Sequence, residues 1–192
     1  MQDWTKDELQ LMNDHEIMLA KRRIIKKVRL LFAAFRERLH PELEGSPLLR
    51  QIAADGGKIS HGENYKGLPF VILDFPAALS GEDVFTFRTM FWWGRYYSFN
   101  LLARGKYLEH VAEWIQSRQE ALAQEGFYIA TGNDLWENEI AGEHYQQLTQ
   151  DFEIKKLIAR QNFIRLNKPV SLNTSQNLFL PDALQIFHAL FL

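Results

Sequence analysis

The stretch Val84-Phe85-Thr86-Phe87-Arg88-Thr89-Met90-Phe91-Trp92-Trp93-Gly94-Arg95-Tyr96-Tyr97-Ser98-Phe99-Asn100-Leu101-Leu102-Ala103 reads as two β-strands meeting at a turn. Aromatic and β-branched residues suit a pleated, half-buried surface. Gly94-Arg95 suits a two-residue type II′ hairpin, because glycine tolerates positive φ. That turn predicts Trp92 opposite Tyr97, Met90 opposite Phe99 and Arg88 opposite Leu101 on one face. Trp93 with Tyr96, Phe91 with Ser98, Thr89 with Asn100 and Phe87 with Leu102 then share the other face. Both faces are largely apolar, so helices should cover one side and a helix or a ligand the other.

Working upstream, Phe70-Val71-Ile72-Leu73 predicts a buried neighbouring strand that Pro76 closes at Phe75. Four glycines between residues 56 and 67 predict a loop after a short helical turn at 48–54. Before it, Thr5-Lys6-Asp7-Glu8 has the form of a capping box, and a pause is expected at Asn13-Asp14. Ile17, Ile24, Val28, Leu31, Phe32, Phe35 and Leu39 then recur at helical spacing, predicting one long amphipathic helix ended by Pro41.

Downstream, Leu108, Val111, Ile115 and Leu122 mark a central helix, with Gly126 placed as its left-handed cap. Short strands are expected at 127–130, 135–140 and 163–166, with a helix near 151–161. A final helix should start at Pro181-Asp182. The fold class is therefore α+β. An antiparallel or mixed sheet is built on the aromatic meander and packed by the N-terminal, central and C-terminal helices. The 192 residues suit one domain, a helical segment at 1–45 followed by a sheet-containing core at 46–192.

Apolar residues at 46% and charged residues at 24% exclude a fibrous or disordered chain. With no cysteine, thiolate catalysis and cysteine-based metal sites are excluded, and a cytoplasmic location is expected. The first residues, Met1-Gln2-Asp3-Trp4-Thr5, lack the character of an export signal, and no apolar run reaches transmembrane length. The net charge of −2 argues against general nucleic-acid binding. The charge is unevenly spread, however, with eight basic residues and one acid between Lys21 and Arg38.

No phosphate loop, dinucleotide fingerprint, nucleophile elbow or metal-ligand spacing occurs, so no cofactor or metal is expected. Three weaker constellations remain. The aromatic strands could be plain core or could line a pocket, with Arg88, Trp92, Trp93, Tyr97, Asn100 and Tyr65 as ligand-binding residues. Asp74 falls within an apolar strand, where a lone carboxylate is costly, and Arg88 is its expected partner. The glycine-flanked segment His61 to Gly67 gathers an imidazole, a carboxylate, a phenol and an amine. His61 with Glu63 or Asp74 is the candidate acid–base pair for catalysis.

The expected function is non-catalytic binding of a small molecule or protein partner through the aromatic sheet face and residues 61–67. One alternative is an enzyme using His61. Another is a protein whose basic helix binds a nucleic acid or an anionic membrane surface. An uncovered aromatic face would also favour a homodimer.

Overall fold

The computed structural model describes residues 3–54, 56–173 and 176–192; Met1 and Gln2, part of the segment read for export, lie outside them. Thr5 caps α1 (Lys6–Asn13) through the expected box, and Asp14 both ends α1 and caps α2 (His15–Glu42). Ser46 caps α3 (Pro47–Ala53). Four strands follow, β1 (Lys58–Tyr65), β2 (Leu68–Ser80), β3 (Asp83–Trp92) and β4 (Tyr96–Arg104). The remainder is α4 (Leu108–Ser117), α5 (Gln119–Gln124), β5 (Tyr128–Ala130), β6 (Tyr145–Gln147), α6 (Ile154–Gln161), β7 (Phe163–Val170) and α7 (Gln176–Phe191).

The strands form one seven-stranded sheet in the order β1-β2-β3-β4-β7-β5-β6. All its pairs are antiparallel, so the class is α+β as expected, without the mixed pairing. β7 enters between β4 and β5.

The β3–β4 register differs from the expected one. The turn has three residues, Trp93-Gly94-Arg95, with Gly94 at φ +69° and the Arg95 N–H donating to Trp92 O at 3.0 Å. Gly94 is the third residue of a β-turn from Trp92 to Arg95, the position at which a type II turn requires positive φ. Trp92 therefore faces Tyr96, Met90 faces Ser98 and Arg88 faces Asn100. Phe91 faces Tyr97, Thr89 faces Phe99 and Phe87 faces Leu101 on the other side. A one-residue slip exchanges the faces of a whole strand. Here it sets Phe85, Phe87, Phe91, Tyr97 and Phe99 on one face and Arg88, Ser98 and Asn100, with Trp92 and Tyr96, on the other.

The ring face is the core. Phe35 from α2 meets Phe87 and Phe99 at centroid distances of 6.3 Å each, and Phe179 from α7 stacks 6.0 Å from Phe32. Phe187 lies 5.4 Å from Phe87, and Val111 and Ile115 of α4 close the same layer. The aromatic face is thus covered by the chain's own helices.

Five further expectations change. Residues 61–65 are strand, because β1 crosses the Phe70 ring at Gly62, where a Cβ would lie 2.6 Å from ring carbons. β2 continues past Pro76, which sits in the irregularity between Asp74 and Ala77, a position where a missing ladder N–H is tolerated. Residues 135–140 form no strand, and α7 starts five residues before Pro181. The stripe on α2 is buried only from Val28 onward, while Ile17 and Ile24 are exposed.

Candidate functional site

The sheet face away from the helices carries Asp74, Thr86, Arg88, Ser98, Asn100, Arg165 and Asn167, all but Arg88 fully buried. Strand alternation puts them on one side, and β7 brings Arg165 beside Asn100. The expected Asp74–Arg88 pair forms and is bidentate. Arg88 Nε donates to Asp74 Oδ1 at 2.7 Å and Nη2 to Oδ2 at 3.0 Å, while the Thr86 hydroxyl adds a third bond at 3.1 Å. The Trp136 ring lies 4.7 Å from the Arg88 guanidinium.

Arg165 is wholly buried and is held by neutral acceptors, Asn100 Oδ1 at 2.8 Å, Leu135 O at 2.8 Å and Asn138 Oδ1. Burial, with Arg88 nearby, lowers its pKa from the usual arginine value. Asn100 completes the chain, donating to Arg88 O at 3.3 Å and to Ser98 Oγ at 3.1 Å. The buried Asn167 amide has no hydrogen-bond partner among the described residues.

Residues 131–144 lie across this face as a strap. Backbone groups of Leu135, Glu137, Asn138 and Ile140 are met by side chains of the sheet and those of Trp136 and Glu139 by the strap's own side chains, so 135–140 needs no ladder. Tyr65 Oη accepts from the Asn138 N–H at 2.8 Å, and Tyr96 Oη donates to Asn138 O at 2.9 Å. Tyr145 Oη donates to Glu137 O at 2.6 Å. Tyr65 Oη also donates to Glu137 Oε1 at 2.6 Å, and the Lys66 ammonium bridges Glu137 at 2.9 Å and Glu139 at 2.7 Å.

These bonds shift the titrations. Burial alone would raise Glu137, but the Tyr65 hydroxyl, the Glu139 N–H and Lys66 bring it down to about 2. Burial, then Glu137, pushes Tyr65 up to about 12. Burial opposes the charge on Lys66, yet Glu139 and Glu137 hold its pKa above the usual lysine value. Chemically, the face is a closed network that fixes the strap in place.

The sequence candidates divide between three places. Asp74, Arg88, Trp92, Asn100 and Tyr65 come together on the strap face, where Trp92 Nε1 donates to Tyr65 O at 3.2 Å. Trp93 and Tyr97 belong to the helix side, Tyr97 lying 4.9 Å from Phe179, so the six ligand candidates do not form one site. His61 pairs with Val71 on the helix side, whereas Asp74 is on the strap side. His61 and Asp74 therefore cannot act as one acid–base pair.

His61 and Glu63 instead line a groove of about 430 Å³ with Lys21, Arg22, Ile25, Lys26 and Arg29 of α2. Glu63 is bound by Lys21. Arg22, Lys26 and Arg29 have no acidic partner among the described residues, so the groove presents cations that could meet a carboxylate or phosphate.

Sequence reasoning missed Arg165, Trp136, Glu137 and Asn138. Arg165 carried a readable signal, since a charge between Ile164 and Leu166 poses the same burial problem as Arg88. The strap residues carried none, because their partners are far away in the chain. It also missed the N-terminal arm. Among the described residues thirteen large apolar side chains are exposed, and nine of them lie between Trp4 and Leu30. Trp4 is 66% exposed, Leu11 58%, Met12 63% and Met18 54%, and α1 buries no residue at all.

Among the described residues no cluster of three or more His, Asp or Glu is placed to hold a metal ion, and no helix is long and apolar enough to cross a membrane. No protein-family model, curated protein or solved structure matches this chain.

Proposed function

We propose that the protein is a non-catalytic docking protein. The sheet and its helix layer form the body, and α1 with the first half of α2 is the surface that engages another macromolecule. The observation that carries this reading is the concentration of exposed apolar residues at 4–30. Exposed apolar side chains scattered singly need no explanation, whereas nine of thirteen gathered within one 27-residue segment point to an interaction surface. α2, α4 and α7 cover the aromatic sheet face, which favours the arm over it as the docking surface.

The arm is also built as a separate piece. The Thr5 side chain caps the start of α1 and the Asp14 N–H closes its end on Leu11 O, both without help from the body. α2 has 28 residues and is about 42 Å long, yet its buried positions start only at Val28. Lys21 still reaches Glu63 near the end of β1, so the preceding residues run on past the sheet.

Methionine oxidation tests this directly, because Met12 and Met18 are exposed and Met90 is fully buried. In intact cells making the chain, Met12 and Met18 should oxidise several-fold more slowly than in dilute purified protein. Met90 should stay unreactive in both. Equal reactivity of Met12 and Met18 in the two settings would overturn the docking reading.

A further inference from the structure

The partner of the arm can be narrowed by its charge. Residues 3–16 hold five acids, Asp3, Asp7, Glu8, Asp14 and Glu16, against one lysine. The next segment, 21–29, holds six basic residues and no acid. Among the described residues only Lys21 of those six has an acidic partner, and Asp3, Asp7, Glu8 and Asp14 have no basic one. Acidic and basic blocks thus follow each other along one arm and leave each other unpaired. An anionic membrane or nucleic acid would attract the second block and repel the first.

We infer that the arm's occupant is a second copy of the chain, its arm running antiparallel to the first so that each acidic α1 lies along the basic part of the other α2. This rests on the docking reading above. A two-fold axis near Ile17 and Met18 brings the two blocks into register and makes the contact the same from both sides. By chain position the same axis brings α1 of one copy, with Trp4 and Leu11, alongside residues 21–30 of the other, where Ile24 and Leu30 are also exposed. Ile17 and Ile24, both exposed and seven residues apart, continue beyond the sheet the stripe that Leu31 packs onto the core, at the spacing of a seam between two helices. Arg23 and Lys27 flank that seam, one turn apart. They are not among the residues of the groove beside β1, which stays open in the pair.

Charge reversal in two variants tests the arrangement. Asp3→Lys/Asp7→Lys takes the acidic block from a net charge of −4 to 0, and Arg23→Glu/Lys27→Glu takes the basic block from +6 to +2. At the altered positions each variant sets like charge against like at both ends of the interface, whereas a mixed pair sets opposite charges against each other there. Native mass spectrometry of the full chain should give a dimer for the unaltered protein. Each variant alone should dimerise about tenfold or more weakly, and an equimolar mixture should give the heterodimer, resolved by mass. All four positions are exposed, and recovery on mixing shows directly that both variants are folded.

A monomeric unaltered protein at tens of micromolar would overturn the inference. So would a dimer indifferent to both reversals. Protection of Met12 and Met18 in cells, with a purely monomeric purified protein, would keep the docking reading and reject the second copy. Loss of that protection would reject both.

Discussion

Glu137 shows how one side chain holds the strap, since its carboxylate accepts from Tyr65 and Lys66 and from the Glu139 N–H. Its folded pKa of about 2 lies below the ordinary 4.5, so the charged form is favoured by folding. The resulting stabilisation is fully present above the ordinary value. It is lost as the pH falls through 4.5 towards 2. Glu137→Gln should therefore be less stable than the unaltered protein at neutral pH, with the gap closing across that window in urea unfolding at a series of pH values. A gap that did not change with pH would assign the residue's role to packing. At this scale the sequence marked Tyr65 and Asp74 by chemistry and position. It could not mark Glu137, whose partner Tyr65 is 72 residues away.

Among the elements, the β3–β4 hairpin decides which residues can meet. Gly94 was legible as a turn residue, but the length of the turn was not, because Trp93-Gly94-Arg95 fits either a two- or a three-residue connection. Gly94 sits at φ +69°, and nothing lies within 4 Å of where a Cβ would stand, so a larger residue meets backbone strain and no clash. Gly94→Ala should cost about 1–2 kcal/mol in chemical denaturation, and Gly94→Asn less, since asparagine tolerates the left-handed region. Equal stability of all three would show that the turn relaxes to another type. The helices were more readily legible. Thr5 caps α1, Ser46 caps α3, and the Phe127 N–H closes the α5 end on Leu122 O at 3.1 Å, beside the expected Gly126.

For the whole molecule, the layer of rings ties α2 and α7 to the sheet. Phe35 is fully buried and contacts Phe87, Phe99 and Phe179 at once. Phe35→Ala should cost about 3–5 kcal/mol, because the surrounding rings close only partly over the space left behind. A loss below about 1 kcal/mol in the same denaturation experiment would mean that α2 is not anchored through this residue. The arm belongs to the same scale, as its helices form by local capping but are left exposed by the described residues of their own chain.

Local chemistry was enough for the α+β class, the places of most helices and the Asp74–Arg88 pair. Those follow from caps, periodicity and the cost of a charge in an apolar strand, which act within a few residues or on one side chain. The β3–β4 register, the strand at 58–65, the strap over Arg165 and the exposure of Ile17 and Ile24 came instead from the assembled fold. Apolar spacing is the same on a helix that meets a sheet and on one that runs past its end. Whether a stripe is buried depends on where the sheet stops, and that is set by contacts between residues far apart in the chain.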